Sequence, residues 1–323
     1  MWLRTSSIIE GTPLSVGVHD PDILPVVTFG RMDVMSAAYW KQVHDDDFAV
    51  PTDRSLSDLT AELTRLLGDA DPDLRDGLAL PALATWVQRG VYDDLLPGLG
   101  DGMAAGLRVG LGESGTDSVF RRSFSVLILA CCIERDNDRP LVPGGKVLEW
   151  GDRIATWMLT EQDLRGHVPG KGWAHAVAHG ADALGALAAS PHVGVGELTV
   201  LLDVIAERLV APVDVLFTAG ESDRLAVAAM SVLRRNHVPL DLIEIWVDTL
   251  SAAARHQHDG TDRDPYLRAG NTEAFLRALY LQLALGQRPP GVRADLLLLL
   301  VEALRSTNPH YLGARVAAPA GES

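Results

Sequence analysis

Residues 118–134 read SVFRRSFSVLILACCIE, and this stretch decides the fold class. Its apolar side chains recur every three or four residues, which is the period of one face of an α-helix. Asp117 and Ser118 supply start signals, and the charged run Glu134–Asp138 is typical of a solvated helix end. A long helix over Ser118–Glu134 is therefore predicted, with its apolar face in the core.

The same period returns on both sides of this segment, whereas strict alternation and Asn-Gly turns are nearly absent. The fold class predicted from this pattern is all-α. The further predicted helices are Ser57–Leu67, Pro72–Arg89, Leu95–Leu107, Lys146–Leu159, Trp173–Ala189, Val195–Leu209, Ser222–Arg235, Leu240–His256, Thr272–Leu285 and Arg293–Arg305.

Weak self-similarity links these helices. Their first turns align at Pro72, Ser118, Gly172, Ser222 and Asn271, in steps of roughly 50 residues, against about 40–47 for HEAT and armadillo repeats. The spacing favours a HEAT/armadillo-like α-α superhelix, a stack of antiparallel helix pairs. The alternative is a compact helical bundle, although so many helices rarely share one core.

One helical-repeat domain is expected over residues 36–312. Residues 1–35 are rich in Pro, Gly and β-branched residues and lack a helical period, so we expect an irregular N-terminal appendage there. Residues 313–323 are expected to form a disordered tail.

The charge balance limits the partners. The 323 residues contain 28 Lys and Arg against 43 Asp and Glu, a net charge of −15, which argues against nucleic acid and anionic membrane surfaces as partners. The longest apolar runs fall far short of the roughly 20 residues of a membrane span. A signal-peptide pattern is absent, and Cys131 and Cys132 are adjacent in an apolar run. A cytoplasmic location is therefore expected.

The stretch Arg165–Leu184, RGHVPGKGWAHAVAHGADAL, differs most from its surroundings. Gly170, Lys171 and Gly172 precede a predicted helix at the place where other repeats have Ser, Asp or Asn caps. Free backbone N–H groups and the Lys171 ammonium would then form a seat for a carboxylate or phosphate. The alternative is a tight turn that needs glycine for positive φ angles.

Three polar residues of the same helix, His175, His179 and Asp182, have the spacing i, i+4 and i+7. They are predicted to share one face, opposite an apolar stripe that includes Trp173 and Val177. Two imidazoles one turn apart could hold zinc or iron with a carboxylate, or one could act as a general base that Asp182 orients. The alternatives are a solvent-facing polar stripe and histidines hydrogen-bonded to a neighbouring helix.

Polar residues near the starts of other aligned helices extend this region. If the repeats stack in register, they would line a concave strip that binds a small anion, an acidic peptide or a nucleotide. The alternative is local ion pairing with Glu113, Asp117 or Glu221. The predicted ligand-binding residues are Arg121, Arg122, Gly170, Lys171, Gly172, Trp173, Arg224, Asn271 and Arg277.

Several phrases resemble a bacterial family of all-helical proteins that is known only as a domain of unknown function. They are Tyr39-Trp40 with Phe48–Pro51, LGESGTDSVFRRSF at 111–124, ERDN at 134–137, VPGKGWAHAVAHGAD at 168–182 and NTEAFLRALYLQL at 271–283. The most specific phrase is GKGWAHAVAH, and the resemblance spans residues 36–312. It implies a helical fold and the importance of the Lys171–Asp182 region, and it names no substrate.

Two hypotheses about function follow. The first is a binding module that uses Lys171, Trp173, His175 and His179 for a small polar or anionic ligand or for a partner protein. The second is an enzyme in which His175, His179 and Asp182 supply acid-base or metal-assisted chemistry of the hydrolase or lyase type, with Lys171 and Arg122 stabilising an anionic transition state. A purely structural scaffold is a third possibility. The pattern leaves the cofactor, the metal and the oligomeric state open.

Overall fold

The computed structural model describes residues 34–255 and 264–312, in which helices predominate and strands are almost absent, so the all-α prediction is confirmed. Most of the predicted appendage, the whole predicted tail and most of the loop 256–264 lie outside the described residues. The chain groups into two compact units, of which the first ends at Gly194 and the second begins at Val195. The single-domain expectation stays a prediction.

The first unit contains eight described α-helices and one short hairpin. The helices are α1 (Val34–Asp45), α2 (Leu56–Leu66), α3 (Pro72–Leu74), α4 (Leu80–Gln88), α5 (Leu96–Gly106), α6 (Ser118–Asp138), α7 (Gly144–Thr160) and α8 (Ala176–Ala189), and the hairpin strands are β1 (His167–Val168) and β2 (Gly172–Trp173). Helix α6 packs against α4, α5 and α8, and α5 also packs against α7. From α4 to α8, helices two places apart in the chain are therefore in contact.

A π-helix, Arg75–Ala79, joins α3 to α4 and interrupts the helix predicted over Pro72–Arg89. Pro81 lies two residues beyond it and has no backbone N–H to give to the preceding turn. The N–H of Leu80 instead reaches back five residues to the carbonyl of Arg75. The wider π-turn thus accommodates the proline without ending the helix.

The second unit consists of α9 (Val195–Val210), α10 (Glu221–Arg234), α11 (Leu240–Ala254), α12 (Pro265–Leu285), α13 (Arg293–Thr307) and α14 (Pro309–Leu312). Helix α10 packs on α12, while α11 packs on both α9 and α13. The contacts between every second helix recur in this unit as well.

Large aromatic side chains fill the core of the first unit, where Trp40, Trp86, Trp150 and Trp157 are buried. Gly100 in α5 lies directly against the Trp150 ring, so that a Cβ at this position would overlap the indole. Helix α6 also buries the Cys132 side chain. Burial raises the pKa of the Cys131 and Cys132 thiols well above the usual range.

Two predicted helix starts are wrong. Helix α8 begins at Ala176, because Trp173 belongs to β2 and His175 has a left-handed backbone with φ 51°. Helix α12 begins at Pro265, where Asp264 caps it, so Asn271 is an interior residue of the helix and not its start signal. In the sequence, a polar residue inside a helix cannot be told from a helix cap when the group it hydrogen-bonds is distant in the chain.

Candidate functional site

The hairpin and the turn into α8 form the centre of the candidate site. His167 pairs with Trp173 and Val168 with Gly172 in antiparallel register. The N–H of Lys171 donates to the carbonyl of Val168 at 3.0 Å, which closes the turn. Gly170 and Gly172 have φ angles of +74° and +77°, a region that favours glycine, so the tight-turn interpretation of these glycines is correct.

This hairpin corrects the predicted anion seat. Lys171 and Gly172 lie in a turn and a strand, five and four residues before the first residue of α8, so their N–H groups are not those of a helix start. The chain enters α8 through hydrogen bonds from Ala174 to the carbonyl of Gly166 at 2.8 Å and from His175 to that of Arg165 at 3.1 Å. These bonds hold His175 in its left-handed conformation.

Four rings form a column that runs inward from the hairpin. His167 and Trp173 meet edge to face at 5.0 Å, and the Trp173 and His175 rings stack with centroids 4.3 Å apart and planes 19° apart. His175 meets His179 edge to face at 5.7 Å, and His179 meets Phe124 of α6 at 5.1 Å. We call His167, Trp173, His175 and His179 the ring column.

The ring column crosses from solvent to the core. His167 is exposed and Trp173 partly so, whereas His175 is 5% exposed and His179 is fully buried. The prediction that both histidines face away from the core is therefore wrong. The prediction fails because α8 is buried on nearly all sides. Both histidines therefore take part in the packing of α8 against α6.

Asp182 lies on α8 three residues beyond His179 and is partly exposed. Its charge acts across to α6, where it helps to raise the pKa of Glu134 to about 7, with burial of Glu134 as the larger cause. Among the described residues, no group of three or more His, Cys, Asp or Glu side chains is arranged to hold a metal ion. The hypothesis that His175, His179 and Asp182 form a three-ligand metal site gains no support from this geometry.

The structure pairs Arg122, one of the predicted strip residues, with Glu161 at the end of α7. Both side chains are buried, and two hydrogen bonds of 2.5 and 2.8 Å join them. Arg122 also donates to the carbonyls of Val109 and Gly110. This ion pair corrects the prediction that Arg122 lines an open strip, and the partner is not one of the acids expected from the sequence.

One further ion pair and one hydrogen bond to a carboxylate join the loop before α6 to the loop before α8. The Lys171 ammonium lies 2.6 and 2.8 Å from the two carboxylate oxygens of Asp117. The buried Asp163 carboxylate accepts from the Arg165 guanidinium and from the N–H of Gly115. Lys171 lies two residues before Trp173 in the hairpin, and at 40% side-chain exposure its ammonium remains reachable.

Arg121 is a different case, because among the described residues it forms no ion pair or hydrogen bond, and burial lowers its pKa. Its side chain packs against Gly68, just after α2, and against Gly106, the last residue of α5. The carboxyl ends of two helices carry partial negative charge, which offsets a cation without any carboxylate. Arg121 thus lies against the carboxyl ends of α2 and α5.

In the second unit, the predicted residues are used in local contacts. Asn271 is 1% exposed and holds the loop before α10 by accepting from the N–H of Phe217 and donating to the carbonyl of Val215. Arg277 pairs with Glu273 of its own helix and donates to the Asn308 side chain.

A family model described as protein of unknown function (DUF2785) matches residues 107–281, which is more than half of the chain. The chain belongs to this family. The matched residues contain α6, the hairpin, the whole ring column and α8. No curated protein and no solved structure matches the chain. None of the described helices is long and apolar enough to cross a membrane.

The sequence pattern did not predict a role in the candidate site for four residues that contact the hairpin or the loops beside it. These are Arg75, Asp76, Glu161 and Asp163. Arg75 and Asp76 precede the part of the chain that the family model matches. A signal existed for the first two, since Pro81 inside a helical pattern marks an irregular turn just before it. Glu161 and Asp163 follow an ordinary helix end, where acidic residues carry no specific signal.

Proposed function

We propose that the chain is a binding protein of the HEAT/armadillo-like type, with one helical-repeat domain over residues 36–312. Contacts between every second helix, seen within each unit taken by itself, support the helix-pair arrangement. The ligand is a small polar or anionic molecule or a segment of a partner protein. A cytoplasmic location is part of the same proposal.

The observation that carries the proposal is the exposed end of the ring column. His167 and Trp173 present ring surface to solvent on a hairpin, while the rest of the column is anchored in the core. Rigid aromatic groups that combine apolar faces with polar edges are effective binding surfaces at low entropic cost. No atom lies within 4 Å of the position that a Cβ would take at Gly170, so a ligand can approach the backbone of the turn closely there.

Lys171 is the cation best placed to recognise an anionic group on such a ligand. Its ammonium is shared with Asp117, and both side chains are roughly half exposed, so an incoming carboxylate or phosphate would compete with Asp117 in a solvated setting. In the second unit, Arg224 and Arg277 are likewise proposed to contact an anionic group of a ligand.

Thermal unfolding in the presence of phosphate, pyrophosphate, citrate, AMP or an acidic peptide tests the proposal. A ligand at about 100 times its Kd raises the free energy of unfolding by about 2.7 kcal/mol, which gives a shift of several degrees. Trp173→Leu and His167→Gln should abolish the shift. His192→Gln is the matched control and should retain it, because His192 is a partly exposed histidine outside the ring column. Full retention of the shift in Trp173→Leu would contradict the proposal.

An enzyme that uses His175, His179 and Asp182 is the second candidate. The left-handed backbone of His175 favours it, because strained residues cluster at functional sites. The buried Arg122–Glu161 pair counts against a catalytic role for Arg122. Mass spectrometry of the same probes after incubation separates the candidates. Conversion that is lost in His175→Asn would favour the enzyme, since asparagine tolerates the left-handed conformation and preserves the fold.

A further inference from the structure

Arg75 connects the hairpin to the beginning of the helical core. Its side chain is fully buried. Nη1 donates to the carbonyl of Asp69 at 2.7 Å, and Nη2 donates to the Asp76 carboxylate and to the carbonyl of Lys171, both at 2.6 Å. The last bond joins residues 96 positions apart and is the direct link from the π-helix to the turn of the hairpin.

The same guanidinium reaches the inner end of the ring column through α6. It lies over the Phe120 ring at 4.1 Å and the Phe124 ring at 4.8 Å. Phe124 is the ring against which His179 packs. A cation held over aromatic faces resists displacement in a desolvated setting. Arg75 therefore contacts the hairpin on one side and the support of His179 on the other.

The hairpin fits against Arg75 only because residue 172 is glycine. A Cβ at Gly172 would lie 3.1 Å from Arg75 Nη2 and 3.1 Å from the Cβ of Pro72. Both distances are tighter than ordinary contacts between such atoms. The φ angle of +77° independently disfavours any other residue.

Strands of two residues do not hold a hairpin by themselves. Within the part of the chain that the structure describes, the other side-chain tie from its turn is the Lys171–Asp117 pair, which is solvent-exposed and so contributes little. The buried bond from Arg75 is the stronger constraint, because a charged donor in a desolvated site is costly to leave unmet.

We infer that Arg75 is the positioning residue of the candidate site: its bond to the Lys171 carbonyl fixes the hairpin, and thereby Trp173 and His167, on the core. This inference rests on the proposed function for its biological meaning. Asp76 acts with Arg75 as the partially exposed end of the same pair.

The Arg75–Asp76 pair also makes the hairpin sensitive to pH, and a loss of packing alone would not change this pH dependence. Burial raises the pKa of Asp76 to about 6, and the Arg75 charge opposes this rise. Asp73 adds to the rise, and Asp69 and Asp71 are the other acids that act on Arg75. Protonation of Asp76 therefore changes the charge around the guanidinium that holds Lys171.

Cleavage by a lysine-specific endoprotease tests the inference, because the chain contains only three lysines: Lys41, Lys146 and Lys171. In the native protein, cleavage after Lys171 reports local opening of the hairpin, and cleavage after Lys146 reports opening of α7. Arg75→Met should speed cleavage after Lys171 by about tenfold at a temperature where cleavage after Lys146 is unchanged.

Arg135→Gln is the matched control, since Arg135 is another ion-paired arginine of the first unit, although its side chain is 17% exposed. It should leave cleavage after Lys171 at the wild-type rate. If Arg75→Met does not fold, Gly172→Ala replaces it, because the added Cβ should displace the hairpin without removing Arg75. Wild-type resistance at Lys171 in a folded Arg75→Met or Gly172→Ala variant would overturn the inference.

Fluorine NMR of protein labelled with 5-fluorotryptophan provides the second measurement. The Trp173 resonance, assigned with Trp173→Phe, should shift with a midpoint near pH 6 in the wild type and in His167→Gln. The shift should vanish in Asp76→Asn and in Arg75→Met, and its persistence in both would overturn the inference. Neither measurement needs a ligand, so failure of the proposed function in the probe panel is distinguishable from failure here.

Discussion

His175 accounts for the largest difference between the sequence pattern and the site. The spacing of His175, His179 and Asp182 predicts one polar helical face, yet His175 precedes α8 in a left-handed conformation. Its imidazole consequently stacks on Trp173 and not on the outside of a helix. Long-range hydrogen bonds to the 165–166 backbone hold this conformation, and a pattern of spacings within one segment carries no information about them.

Glu134 is the residue for which we predict an unusual effect of pH. Its pKa is raised to about 7 by burial, with further contributions from Asp182 and Asp138. A carboxyl whose pKa is higher in the folded state stabilises the fold below its unfolded value of about 4.5. That contribution is lost as the pH rises to about 7. Glu134→Gln removes the group that must ionise.

We therefore expect Glu134→Gln to stabilise the protein at pH 8 by about 1–3 kcal/mol and to have little effect at pH 5. Urea unfolding at both pH values measures the difference. Glu149→Gln is a suitable control, because Glu149 is exposed and the Lys146 ammonium holds its pKa below the usual range. Equal effects of Glu134→Gln at pH 5 and pH 8 would contradict the expectation.

At the scale of elements, the helices follow from the sequence and the hairpin does not. Helix α6 shows a 3.6-residue apolar period over many turns, so its position is close to the predicted Ser118–Glu134. The hairpin strands have two residues each and therefore no period to detect. The Arg75 bond to Lys171 spans 96 residues, and nothing local to either residue encodes that contact.

The Arg122–Glu161 pair joins α6 to the end of α7, and we predict that it is sensitive to loss of either charge. Glu161 also accepts from the Trp157 indole N–H at 2.9 Å and from the N–H of Asp163. Glu161→Gln leaves the buried Arg122 cation without its counter-charge, so stability should fall by about 3–5 kcal/mol.

Urea unfolding at pH 7 measures this loss. Glu149→Gln is the matched variant in α7, and its exposed pairs with Lys146 and Arg153 are expected to contribute less than about 1 kcal/mol. A loss for Glu161→Gln no larger than that for Glu149→Gln would show that the ion pair is not a main tie between the two helices.

At the scale of the whole molecule, the excess of acidic over basic residues means that most arginines of the first unit have a carboxylate as partner. The predicted strip requires arginines that face a ligand, but most arginines of the first unit lie within ion-pair distance of a carboxylate. These are Arg54, Arg75, Arg89, Arg122, Arg135, Arg139, Arg153 and Arg165. The alternative of local pairing therefore describes this unit better than a continuous positive strip.

The proposed single domain over residues 36–312 predicts one cooperative unfolding transition. Differential scanning calorimetry of the full chain should then give a calorimetric enthalpy equal to the van't Hoff enthalpy. Two resolved transitions, or a calorimetric enthalpy about twice the van't Hoff value, would instead assign separate stability to the two units, whose boundary in the sequence lies between Gly194 and Val195.

The two cysteines of α6 give the molecule an internal reporter of its own opening. Because burial keeps both thiols protonated at neutral pH, the folded chain holds almost no thiolate for an alkylating reagent to attack. Reaction at Cys132 therefore requires α6 to separate from its neighbours. Helix α6 also supports the ring column through Phe124. The labelling rate of Cys132 therefore measures how often α6 opens beneath the candidate site.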